Sequence, residues 1–219
     1  MRIQFIYFDL GWTLIDEIDA HKSRAKLTVG ALSQLGMPIS ASEFLAMCYR
    51  AGQEGAASPY VEALSRLGAA PEFQTRHGYD HREEKLYPGV HGLLTKIRAE
   101  YRLGVIANQS LGAEDRMRAF GIRDFFEVVL SSAEMGLSKP DSRLFDEAER
   151  LCGLPAHSIA MVGDSLENDI RPALQRGWLT VRVLQGFFRD REIRRNGCTP
   201  HATISRIQDL PNALSKLQK

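Results

Sequence analysis

Asp9 closes the apolar run Ile3-Gln4-Phe5-Ile6-Tyr7-Phe8 and opens the segment Asp9-Leu10-Gly11-Trp12-Thr13-Leu14. A β-rich run that stops at an acid puts that carboxylate at the carboxyl end of a strand, where open α/β sheets bind ligands. Alone, such a pattern is ordinary, because Asp favours turns and helix caps. Here it recurs. Leu103-Gly104-Val105-Ile106-Ala107 leads to Asn108, and Ser158-Ile159-Ala160-Met161-Val162 leads to Gly163-Asp164-Ser165, with Asn168 and Asp169 close behind. Between them, Val128-Val129-Leu130-Ser131 runs through Gly136 to Ser138-Lys139-Pro140-Asp141. In a parallel sheet wound in one sense these strand ends share a side, so Asp9, Asn108, Lys139, Asp164 and Asp169 are predicted to converge on one pocket. Carboxylates beside a lysine suit a divalent cation and an anion.

The elements that would position these residues are unevenly spread. One strand opens the chain and the others follow Tyr101, which makes the fold class α/β. The intervening region reads as helix. Ala25, Val29, Leu32 and Leu35 follow helical spacing, and Ser40 with Glu43 forms a capping box ahead of Phe44, Met47, Cys48 and Ala51. Ser58-Pro59 fits a cap followed by proline at the first helical position, with Tyr60, Val61, Leu64 and Leu67 as the next apolar stripe. After Pro88, Val90, Leu93, Leu94 and Ile97 form a stripe suited to packing on the sheet. Phe145, Ala148 and Leu151-Cys152 share a face of a helix that begins just after Lys139.

Composition narrows the partners. The 219 residues are 44% hydrophobic and 25% charged, enough for one large core or two modest ones. A formal net charge of +1 gives no electrostatic case for nucleic acid or a membrane surface. The basic stretch Arg189, Arg191, Arg194 and Arg195 is interrupted by Asp190 and Glu192 and reads as solvated surface. Cys48, Cys152 and Cys198 are odd in number and share no metal spacing. Asp9 interrupts the first apolar segment before it could form a signal-peptide core, and no run approaches a membrane span, so a cytoplasmic protein is expected.

Together these segments resemble the signatures of the haloacid dehalogenase-like hydrolase superfamily, mostly Mg-dependent phosphatases with an aspartate nucleophile. Asp9-Leu10-Gly11-Trp12-Thr13-Leu14 resembles the first signature and Ala107-Asn108 the second. Lys139-Pro140-Asp141 resembles the third, and Gly163-Asp164-Ser165 through Asn168-Asp169 the fourth. Tyr87-Pro88-Gly89-Val90, Ala202-Thr203-Ile204-Ser205 and Leu210-Pro211 are also similar to that family, and the likeness covers nearly the whole chain. It implies a Rossmann-like parallel-sheet core over residues 1–15 and 87–219, with a small α-helical cap domain inserted over 16–86. Such a cap excludes water and selects the substrate, and His21, Lys22, Arg24, Arg50 and Gln53 are its candidate substrate-facing residues, though each reads equally well as surface.

The resemblance also assigns roles. Asp9 is the expected nucleophile, and Mg²⁺ is expected on Asp9, the Gly11 carbonyl and Asp164, with Asp169 as a further ligand or a supporting group. Lys139 is expected to fix Asp9 and the phosphoryl oxygens, and Asn108 to offer the phosphoryl group an amide. Two departures stand out. Gly11 occupies the place of the second Asp, the general acid and base, with Trp12 at the usual glycine, and Ala107 replaces a hydroxyl residue. Losing positioned acid and base catalysis is worth ~10²–10⁴ in rate. Asp16, Glu17, Asp19 and His21 lie downstream as replacements, but solvated acids after a strand are the plainer reading.

The expected activity is hydrolysis of a small phosphorylated metabolite through an aspartyl phosphate, by a monomer or homodimer. A second reading is carbon–phosphorus cleavage like that of phosphonoacetaldehyde hydrolase, with Lys22 or Lys26 forming a Schiff base. A third is a catalytically silent relative that binds a phosphorylated ligand or a protein. Hydrolytic dehalogenation fits less well, because the fourth motif looks metal-binding.

Overall fold

The computed structural model describes residues 2–69, 78–193 and 198–218. Its strands are β1 (Phe5–Phe8), β2 (Ile15–Asp16), β3 (Lys85–Leu86), β4 (Arg102–Ala107), β5 (Val128–Ser131), β6 (Ile159–Gly163), β7 (Leu179–Val183) and β8 (Ala202–Ile204). Its α-helices are α1 (Ile18–Gln34), α2 (Ala41–Glu54), α3 (Pro59–Arg66), α4 (Val90–Ile97), α5 (Ala113–Ala119), α6 (Ser132–Met135), α7 (Ser142–Cys152), α8 (Arg171–Gln175) and α9 (Leu210–Leu217). The backbone forms two compact units. One holds residues 1–15, 86–185 and 193–219, and the other holds 16–85 with 186–192. Arg194 and Arg195 of the basic stretch lie outside the described residues.

The first unit is a parallel sheet in the order β5-β4-β1-β6-β7-β8. Helices on both faces explain why its strands read as unbroken apolar runs. In β1, Ile6 and Phe8 enter a core with Val90, Leu93, Leu94 and Ile97 of α4 and Leu210 and Leu214 of α9. Phe5 and Tyr7 enter the opposite core with Leu144, Phe145 and Ala148 of α7 and the buried Trp178. Leu151 departs from expectation. It is 39% exposed, whereas Leu144 joins Phe145, Ala148 and Cys152 in the buried stripe, because one position back along a helix is 100° around it. The sheet grows in both directions from β1, with β4 on one side and β6 on the other. That reversal opens a crevice at the strand's carboxyl end, where Asp9 lies.

The second unit is helical, as the periodicity predicts. The capping box forms in full: Glu43 N–H donates to Ser40 Oγ at 3.2 Å, and Ser40 N–H donates to Glu43 Oε2 at 2.9 Å. Gly55 then ends α2 at a left-handed φ of 91°, which suits a residue without Cβ. Ser58 and Pro59 open α3, but the Ser58 hydroxyl makes no capping bond. In α1 the buried set is Ala20, Arg24, Ala25, Thr28 and Leu32, while Leu35 is 56% exposed because it lies past the last helical residue. The segment 186–192 belongs here too, although its position in the sequence suggests the core. The Phe187 ring packs edge-on to His21 at 4.8 Å and Tyr49 at 4.9 Å, and Arg191 Nη1 donates to the Gln53 carbonyl at 3.0 Å.

Candidate active site

Asp9 follows β1 directly, its N–H bonded to the Val162 carbonyl of β6 at 2.9 Å. Asp164 follows β6. Asp169 comes back to it through a π-turn, Leu166–Ile170, in which Ile170 N–H reaches the Ser165 carbonyl at 3.2 Å. Such one-residue insertions recur where a side chain must be re-aimed at a site. Ser165 N–H donates to Asp169 Oδ2 at 3.0 Å and locks the carboxylate inward. Gly163 makes room for it: a Cβ there would lie 2.6 Å from the Asp169 Cβ and closer still to its carboxylate.

The three acids converge. One carboxylate oxygen from each of Asp9, Asp164 and Asp169 lies within 4.8 Å of the others, and all three residues are buried. Lys139 Nζ donates to Asp9 Oδ1 and Asp169 Oδ1 at 2.6 Å each and to the Ile106 carbonyl at 2.8 Å. These three bonds use all three ammonium hydrogens, so Lys139 acts on a further anion by charge. Burial works against the Lys139 charge, but Asp169 and Asp9 outweigh it and hold the ammonium above the ordinary lysine range. Burial pushes the Asp169 carboxyl up to about 6, against the downward pull of Lys139.

Asn108 is placed differently from a simple phosphoryl donor. Its Oδ1 accepts from Lys139 N–H at 2.7 Å and its Nδ2 donates to the Lys139 carbonyl at 2.9 Å. The side chain thus clamps the Lys139 peptide, leaving one amide hydrogen for another acceptor. Ala107 ends β4 with a buried methyl. Gly11 is also buried and bridges Ile15, while the Leu10 carbonyl accepts from Leu14 and Ile15 N–H at 2.9 Å each. Trp12 takes φ 56° in this turn, a left-handed conformation that disfavours a side chain and that glycine adopts freely. Thr13 Oγ1 approaches Asp9 Oδ2 at a long 3.5 Å.

Within the second unit, Glu17 Oε2 lies 3.7 Å from His21 Nε2. Asp16 Oδ1 accepts from Ile18 N–H at 3.0 Å, and Asp19 pairs with Lys85 at 2.7 Å and Lys22 at 3.3 Å. Arg24 is buried, its guanidinium 3.2 Å from the Tyr60 ring centre, whereas Lys22, Arg50 and Gln53 are exposed. A separate cleft of about 670 Å³ opens in the first unit between residues 2–4, 98–103 and 124–127, at the amino-terminal end of the strands, and contains none of the clustered acids.

A parallel α/β sheet with acids and a lysine at its switch point defines a ligand-binding α/β class. Residues 6–183 match the model of the haloacid dehalogenase-like hydrolase family, and the chain belongs to that family. It is 29% identical over 233 residues, spanning 99% of both chains, to a glyceraldehyde 3-phosphate phosphatase of Methanopyrus kandleri. It is 33% identical over 59% of its length, and 56% of the relative's, to pyrimidine 5'-nucleotidase YjjG of Escherichia coli. The fold is shared with the hydrolase YfnB of Bacillus subtilis, solved with magnesium bound, at a TM-score of 0.72 and 20% identity over 98% of this chain and 99% of that one. No helix among the described residues is long and apolar enough to cross a membrane.

Proposed function

We propose that this chain is a magnesium-dependent phosphatase of a small phosphorylated metabolite, with Asp9 as nucleophile and with general acid and base catalysis weakened by Gly11. The observation that carries this reading is the meeting of Asp9, Asp164 and Asp169 within 4.8 Å, with the ammonium of Lys139 paired to Asp9 and Asp169. Its relatives named as phosphatases support the reaction class.

The residues fit the metal. Three buried carboxylates are hard oxygen donors, and their charge exceeds what one ammonium offsets. Asp9, Asp164 and the Gly11 carbonyl would hold Mg²⁺, with Asp169 as a further ligand or as the group that fixes Lys139. When bound, the ion supplies a Lewis acid for the phosphoryl oxygens. The chain does the rest. Lys139 holds Asp9 Oδ1, leaving Oδ2 for attack on phosphorus, and Asn108 keeps the Lys139 peptide in place. Asp9 displaces the leaving group to give an aspartyl phosphate, which water then hydrolyses. The second unit serves as the cap in this proposal. All three cysteines are free, which agrees with a reducing, cytoplasmic location.

The carbon–phosphorus reading draws no support from its lysines. Lys22 is exposed and paired with Asp19, and Lys26 is exposed, whereas burial is the usual way to lower a Schiff-base lysine's basicity. The test is a panel of phosphate esters assayed with and without Mg²⁺. The proposal expects metal-dependent phosphate release that vanishes in Asp9→Asn. Mg²⁺ binding without release from any ester would favour the silent relative instead.

A further inference from the structure

The two half-reactions of an aspartyl-phosphate route make unequal demands on the groups missing from this chain. In the first, Asp9 Oδ2 forms a bond to phosphorus and the phosphorus–oxygen bond to the leaving group breaks, its electron pair departing with that oxygen. An alkoxide needs a proton at that moment, whereas a carboxylate leaves without one. In the second, water oxygen bonds to phosphorus and the pair of the broken bond returns to Asp9 as carboxylate. The attacking water must lose a proton whichever substrate supplied the phosphoryl group.

The surroundings of Asp9 offer little to carry either proton. Among the described residues of the first unit, the side chains that hydrogen-bond to Asp9 are Lys139 and Thr13. All three Lys139 hydrogens are committed, to Asp9, Asp169 and the Ile106 carbonyl. The Thr13 hydroxyl is neither an acid nor a base near neutrality. Position 11 carries no side chain, and position 107 ends in a methyl group. Asp164 and Asp169 are the proposed metal ligands. Within the described residues of the first unit, a poor leaving group therefore finds no proton donor bonded to Asp9, and the attacking water finds no base bonded there.

We propose, resting on the phosphatase reading above, that the chain takes acyl phosphates as its phosphoryl donors and holds the phosphoryl group on Asp9 as its principal steady-state form. Attack on an acyl phosphate releases a carboxylate that needs no proton. Its product, itself an acyl phosphate, waits for water that no side chain bonded to Asp9, among the described residues of the first unit, can deprotonate. The chain thus behaves as a phosphoryl acceptor that discharges slowly.

The experiment mixes the full chain with Mg²⁺ and acetyl phosphate, quenches in acid and measures intact mass. Most of the protein is expected to gain one phosphoryl group, outlasting removal of the donor by gel filtration and discharged by neutral hydroxylamine, as an acyl linkage requires. Asp9→Asn is expected to stay unlabelled, and glycerol phosphate to label wild type far more slowly. Gly11→Asp should shorten the life of the adduct by ~10²–10⁴, the usual worth of a positioned base. If that variant does not fold, the wild-type adduct decides alone. Asp9-dependent phosphate release without an accumulated adduct overturns this inference and leaves the phosphatase reading standing. No adduct and no release from any donor overturns both.

Discussion

Replacing Lys139 with Met keeps most of the unbranched stem, one atom shorter, and removes the charge between two buried carboxylates. At 2.6 Å each ion pair has a gross attraction of roughly 6 kcal/mol at an effective dielectric of about 20, most of it offset by desolvation. Removing the ammonium leaves Asp9 and Asp169 without their counter-charge, a situation that costs about 3–5 kcal/mol. Against a total stability of about 5–15 kcal/mol the variant should remain folded. Asp169, already pushed up to about 6 by burial, is the group that takes a proton to limit the loss. The deficit should accordingly be full near pH ~8 and smaller near pH ~5. Magnesium supplies the positive charge that the substitution removes, and a tenfold gain in its affinity would narrow the deficit by about 1.4 kcal/mol under saturation. Urea denaturation of both proteins, with and without excess Mg²⁺, measures these differences. A metal-free deficit below about 1 kcal/mol, or one that Mg²⁺ leaves unchanged, would refute the charge balance drawn here.

Other consequences can be checked separately. Gly163→Ala forces the Asp169 carboxylate to move, so Mg²⁺ titration should show affinity weakened by about 10–100-fold, as for lost support of a metal ligand; unchanged affinity would exclude Asp169 from the site. Burial pushes the Cys48 thiol up to about 12, so iodoacetamide near pH ~8 should label the half-exposed Cys198 first and Cys48 only on unfolding; equal labelling rates would contradict that packing. Bonds from the Arg143 side chain, and then from its N–H, hold the Asp141 carboxyl at about 2. A lowered carboxyl stabilises the fold above its ordinary value near ~3.8 and loses that contribution as pH falls through about 2. The stability gap between wild type and Asp141→Asn should therefore narrow on acidification below pH ~4, and a constant gap would rule out this linkage.

Much of the site was legible because its polar residues lie in the segments that follow apolar runs, Asp9 directly and Lys139 several residues on. Asp9, Asp164 and Lys139 needed only the rule that parallel strands end on one side, and the capping box of Ser40 and Glu43 is local. What stayed hidden depends on non-local geometry. That Asn108 would clamp a peptide 31 residues away cannot be read from either segment. Nor does the pattern around Asp169 reveal the π-turn that aims it at Lys139, because its five residues carry no period of their own. Phe187 joins the helical unit through ring contacts with His21 and Tyr49, which no spacing in the sequence foretells. Leu35 and Leu151 fit an apolar stripe on paper, yet one lies past a helix end and the other on its flank.

The central claim is that Asp9, the nucleophile, and Asp164 hold one divalent ion, with Asp169 beside them as a further ligand or as the group that fixes Lys139. Isothermal calorimetry of Mg²⁺ binding to wild type and to Asp164→Asn tests it most directly. The account predicts a single site in the wild type and its loss in the variant, with the fold retained by circular dichroism. Equal Mg²⁺ affinity in the two proteins would contradict it.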